Sequence, residues 1–106
     1  MKTLEYEVNG NKYVLTFTRA SVIWAEEQGF DIRNLDTKPM SSLTELFYYS
    51  FRANHPNFTK EDTDKILFDE LGGLTEDEVK RLSDMYADVV NSLIAKTRKN
   101  SKVVVK

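Results

Sequence analysis

The stretch from Leu74 to Ile94 limits the fold more than any other part of this chain. Val79, Leu82, Tyr86, Val89, Val90, Leu93 and Ile94 recur at three- and four-residue steps, so at about 100° per residue they share one face of a helix. Lys80, Arg81, Asp84, Asp88 and Asn91 take the opposite face. Its start is marked by Thr75 and Glu78 at the spacing of a capping box, and by Leu74 and Val79 at the spacing of a hydrophobic staple. A helix from Glu76 to about Thr97 is expected, roughly 30 Å long at a rise of 1.5 Å per residue. The residues before it must supply the cover for its apolar face.

Two alternating runs precede it, Leu4 to Val8 and Lys12 to Phe17, joined by Asn9-Gly10. That dipeptide suits a type I′ turn, in which both central residues need positive φ. The turn sets Val8 opposite Asn11, Tyr6 opposite Tyr13 and Leu4 opposite Leu15 on one face, with Glu7 opposite Lys12 and Thr3 opposite Thr16 on the other. A two-stranded ribbon is marginal alone, so its Leu/Tyr/Phe face must lie on helices. Thr18 is placed to cap a helix from Arg19 to Gln28, with Phe17 and Val22 as its staple, Ala20, Ile23 and Trp24 as its inner stripe, Glu27 at the rim and Gly29 as a left-handed stop.

After a connection from Phe30 to Met40, Ser42 and Glu45 stand at capping-box spacing before a helix whose stripe is Leu43, Leu46, Phe47, Ser50 and Phe51, ended by Asn54-His55-Pro56. Tyr48 and Tyr49 flank that stripe and exceed the needs of one core face. Thr59 caps a further helix to Leu71 with Ile66, Leu67 and Leu71 inward, and Gly72-Gly73 turns it into the long helix as a helical hairpin. The expected fold class is α+β: an N-terminal two-stranded β-hairpin packed on about four α-helices, mainly helical, with residues 1–97 as one globular domain and 98–106 as a basic, disordered C-terminal tail. Val103 to Val105 keep open a third strand on a hairpin edge.

Composition narrows the function classes. Hydrophobic residues make up 41% and charged residues 30%, an ordinary globular balance, and there is no cysteine for a disulfide framework or thiolate metal site. No secretion signal or bilayer-length apolar run is apparent, which predicts a soluble intracellular protein with no membrane partner. Residues 1–95 hold ten Lys and Arg against seventeen Asp and Glu, a balance of −7, whereas 96–106 hold five basic residues and no acid. An acidic body argues against nucleic acid as partner. The helix pair around Gly72-Gly73 could pass for a helix-turn-helix, but its second helix would present Glu76-Asp77-Glu78 to phosphates.

The parts of an enzyme are scarce. His55 is the one histidine, and its place at a helix end reads as structural. Asp84 and Asp88 share a solvated face; Asp62 and Asp64 have the first spacing of a calcium loop, but Ile66 stands at the next ligand position. No phosphate-cradling glycine motif occurs. No catalytic, cofactor-binding or metal-binding residue is assigned, and the chain is expected not to be an enzyme.

The order of elements, with hairpin LEYEVNGNKYVLTFT, abutting helix RASVIWAEEQGFDI, aromatic helix ending in HPNFT, helix KEDTDKILFDEL and the long closing helix, resembles the small tail assembly chaperones of long-tailed phages and prophages of Gram-positive bacteria. The similarity covers roughly Thr3 to Ile94 and rests on pattern and length. It implies a non-enzymatic chaperone in the cytoplasm of a bacterial host, absent from the finished virion, with the tape measure protein and the tail tube protein as partners. Self-association is compatible with the same features. The partner contact is expected on the Leu43–Phe51 helix around Tyr48 and Tyr49, since rigid aromatic side chains dominate many interfaces. The alternative reading is a small nucleic-acid-linked regulatory or adaptor protein, suggested by the basic tail and the helix pair.

Overall fold

A computed structural model describes residues 2–95 and 104–105. Strands β1 (Leu4–Val8) and β2 (Asn11–Leu15) pair antiparallel in the expected register, Val8 with Asn11, Tyr6 with Tyr13 and Leu4 with Leu15. Asn9 and Gly10 take φ of 51° and 81°, the left-handed pair that a type I′ turn demands. The ladder stops at Leu4, so Thr3 and Thr16 do not extend it. Thr16 turns inward, donating its amide to Ser50 O at 3.0 Å and its hydroxyl to Lys2 O at 2.8 Å. Lys12 sits opposite Glu7 but pairs with Glu5, its diagonal neighbour, at 3.0 Å.

Helix α1 (Arg19–Glu27) follows directly. Thr18 Oγ1 accepts from the Ser21 amide at 3.1 Å while Ser21 Oγ accepts from the Thr18 amide at 2.9 Å, a reciprocal box that satisfies two free donors. At the far end Gly29, at φ 94°, permits a Schellman closure: Phe30 N–H donates to Ala25 O at 3.0 Å and Gly29 N–H to Glu26 O at 2.9 Å. The inner stripe differs from the expected one. Ser21, Val22 and Ala25 are buried, Trp24 is half-buried, Ala20 is exposed and Ile23 is 56% exposed. Phe17 and Val22, the staple pair, both enter the core and set the helix's rotation. A serine is accepted on the buried face because its hydroxyl is consumed by the cap, which disguised the stripe as polar.

A 3₁₀ turn at Ile32–Leu35 leads to α2 (Pro39–Phe51), which begins a turn earlier than the Ser42-Glu45 spacing predicts. Pro39 occupies N1, where its missing N–H costs nothing, and Ser42 is a buried interior residue donating its amide to Lys38 O. Helix α3 (Lys60–Lys65) starts at a Thr59–Asp62 capping box and passes into a π turn, Ile66–Glu70, instead of running as one α-helix to Leu71. Helix α4 (Glu76–Asn91) opens at the Thr75–Glu78 box, with bonds of 2.8 and 3.1 Å.

Helix α4 is shorter than expected, about 24 Å at 1.5 Å per residue. Leu82, Met85 and Tyr86 are buried and Val89 half-buried, but Val90 is 38% exposed and Leu93 and Ile94 are 82% and 81% exposed. Ser92 caps the end, its hydroxyl turned back to Val89 O, at the point where no element among the described residues covers the stripe. The expected extension through Lys96 and Thr97, the tail 98–106 and Val103 lie largely outside the described residues; Val104 and Val105 are in no strand and are 68% and 91% exposed.

The core lies where α2, α4 and the inner face of the hairpin meet. Leu15, Leu46, Phe47 and Leu82 are fully buried, and Tyr86 packs edge-on against Phe17 and Phe30 at 5.2 and 5.5 Å. Burial, with Glu26 and Asp31 adding, pushes the Tyr86 phenol up to about 12. Among the described residues the buried Tyr6 hydroxyl has no hydrogen-bond partner; its ring packs on Phe47, and burial with the neighbouring Glu78 raises its pKa.

Candidate interaction surface

Of the two tyrosines expected to meet a partner, Tyr49 belongs to the core. It is 6% exposed, with Trp24 edge-on at 5.5 Å and Phe30 at 5.3 Å, and burial is the first cause of its raised pKa, followed by Glu45 and Tyr48. Tyr48 is half-buried against Tyr49 and Trp24 at 5.0 and 6.1 Å. The Arg52 guanidinium covers the other side of Trp24, 4.2 Å from its ring centroid. Trp24, packed from α1, occupies the flank that a helical wheel of α2 alone leaves vacant. The aromatic excess is therefore largely consumed within the fold.

His55 is structural as well. Its Nε2 accepts the Val14 amide at 3.1 Å, and Asn54 Nδ2 donates to Val14 O at 3.0 Å. These two side chains satisfy both outward backbone groups of Val14 as a third strand would. The acidic residues weighed as ligands are also engaged. Asp84 pairs with Lys80 at 2.8 Å and Asp88 with Lys2 at 3.0 Å; Asp62 caps α3, and Asp64 holds Lys60 at 2.7 Å. Among the described residues no group of three or more His, Cys, Asp or Glu is placed to hold a metal ion, and no helix is long and apolar enough to cross a membrane.

An apolar groove lies open at the other end of α2. Pro39, Met40, Leu43 and Thr44 form one wall of a shallow groove, Leu67 and Phe68 of the π turn a second, and Leu74 and Val79 the third, enclosing about 150 Å³. The wall residues are apolar except for the Thr44 hydroxyl, which is turned back to the carbonyls of Met40 and Ser41 at 2.9 and 3.0 Å. Met40 is 71% exposed and Phe68 49% exposed. Local structure explains both. Starting α2 at Pro39 puts Met40 in the first turn, facing outward. The π turn, closed by Leu71 N–H to Ile66 O at 2.9 Å and followed by Gly73 N–H to Leu67 O at 2.8 Å, widens the helix after two buried residues and leaves Phe68 on the rim. Leu74 and Val79, the predicted staple, double as a groove wall.

The groove was not identified from the sequence, although one signal pointed to it. Ile66-Leu67-Phe68 is a run of three bulky apolar residues on a helix that has one inner face, so at least one of them must look outward.

Fold and surface together define a small α+β domain with capped helices and an apolar groove left open. The chain belongs to the family described as "Domain of unknown function (DUF5055)", which matches residues 1–106. No curated protein and no solved structure matches it.

Proposed function

We propose that this protein is a non-enzymatic phage tail assembly chaperone that binds an apolar helical segment of the tape measure protein and helps to recruit tail tube subunits. The observation that carries this reading is the open groove, where Met40 and Phe68 stand exposed on a floor of Leu43, Leu67 and Leu74. A contiguous apolar recess of this kind is the form in which helical domains take up partner side chains. The hairpin and the helix order on which the phage resemblance rests are the protein's own, and that supports reading the groove in the chaperone's terms. Binding is favoured over catalysis because the one imidazole has its Nε2 occupied by a backbone amide.

Co-expression with a tape measure segment from the same genome tests the reading. The wild type is expected to keep the segment soluble, and Met40→Glu/Phe68→Glu to lose that ability while remaining folded by circular dichroism. A wild type that leaves the segment insoluble defeats the chaperone reading. A double variant that works as well as the wild type moves the contact elsewhere, with Tyr48→Ser as the next substitution to compare.

A further inference from the structure

We infer that the groove takes a basic amphipathic helix, one that inserts one or two bulky apolar anchors and lays Lys or Arg against the segment 69–78. This rests on the groove being the contact surface proposed above. At about 150 Å³ it is a shallow recess, with room for one or two side chains and not for a whole helix face. Met40 on the rim is flexible and adapts to the shape of an anchor.

The charge around the groove decides what flanks the anchor. Residues 69–78, of which Gly73 and Leu74 line it, hold Asp69, Glu70, Glu76, Asp77 and Glu78 and no basic residue. Glu78 is used by the Thr75 amide; the other four are exposed and make no ion pair among the described residues. Glu76 and Asp77 suit the first turn of α4, where the helix dipole favours negative charge. Asp69 and Glu70 have no such local reason. They end the helical run from Lys60, where the same dipole disfavours a carboxylate, and they are free to meet a basic partner. Lys38, the cap residue of α2, immediately precedes the wall that Pro39 begins, a basic residue on that side that orients the partner with its own basic side toward 69–78.

Strand addition needs a sheet edge, and none of the residues that line the groove belongs to β1 or β2. The groove walls are helical and offer side chains, which fits a helix laid across them.

Two helical peptides with the same leucine stripe, one flanked by Lys and one by Glu, separate the possibilities by fluorescence anisotropy and by amide shifts of the ¹⁵N-labelled protein. The Lys peptide is expected to bind roughly tenfold tighter, to weaken as salt rises, and to shift Met40, Phe68, Gly73 and Leu74. Asp69→Lys/Glu70→Lys, at exposed positions, is expected to reverse the preference with the circular dichroism spectrum unchanged. Equal binding of both peptides, preference for Glu, or shifts centred on Tyr48 overturns the inference. So does concentration-dependent self-association that shifts the same amides and vanishes when residues 96–106 are removed, because the occupant is then the chain's own basic end from a second copy. Failure of the peptides with tape measure solubility intact defeats this inference alone, whereas peptide binding without tape measure solubility defeats the chaperone reading alone.

Discussion

The two ends of α2 solve the same problem in opposite ways. At the C-terminal end Phe51 is 1% exposed, stacked on Phe58 at 5.5 Å and in contact with Phe47, Tyr13 and His55, while Ser50 O, Val14 N and Val14 O all have partners. At the N-terminal end Met40 and Phe68 stand in water over an apolar floor. Both ends are rich in apolar side chains, so hydrophobicity alone does not distinguish them. What differs is the neighbour. The hairpin covers one end from outside α2, whereas at the other end the π turn and the start of α4 wall a groove and leave a gap. The closed end should carry stability, and the open end should tolerate change until a partner is present.

That contrast can be broken most easily at Phe51. Phe51→Ala removes a fully buried ring and is expected to lower unfolding free energy by about 3–5 kcal/mol, read from urea denaturation. A loss below about 1 kcal/mol would mean that the closed end is not the core. Next in size is His55→Ala, which strands the half-buried Val14 amide and removes a ring packed on Tyr13 and Phe58; about 1–3 kcal/mol should be lost, with faster amide exchange at Val14.

Smaller effects sharpen the picture of the open end. Thr75→Ala deletes the cap of α4 beside the groove and should cost about 1 kcal/mol, showing that backbone capping contributes more there than rim side chains do. Met40→Ser should change stability by no more than about 0.5 kcal/mol while weakening partner binding. Tyr6→Phe, which removes a buried hydroxyl that has no partner, should leave stability unchanged or raise it by up to about 1 kcal/mol in thermal unfolding. A clear loss there would reveal a hydrogen bond, with Glu78 the first candidate for acceptor.

Local chemistry in the sequence determined the hairpin register, the caps at Thr18, Thr59 and Thr75 and the glycine stop at Gly29, because each depends on residues within a few positions of one another. It failed at Ser42, where a cap-like pair lies inside a helix that Pro39 had already begun, and at α1, where Ser21 serves the cap from the buried face. Tertiary structure alone decided the rest. Trp24 and Phe30 turned Tyr49 from a surface aromatic into a core one, the stripe of α4 goes uncovered at Leu93 among the described residues, and the π turn put Phe68 outside. The physical reason is common to all three: an amphipathic pattern states which side chains need cover, but whether cover arrives depends on elements distant in the chain, and where it does not arrive the groove remains.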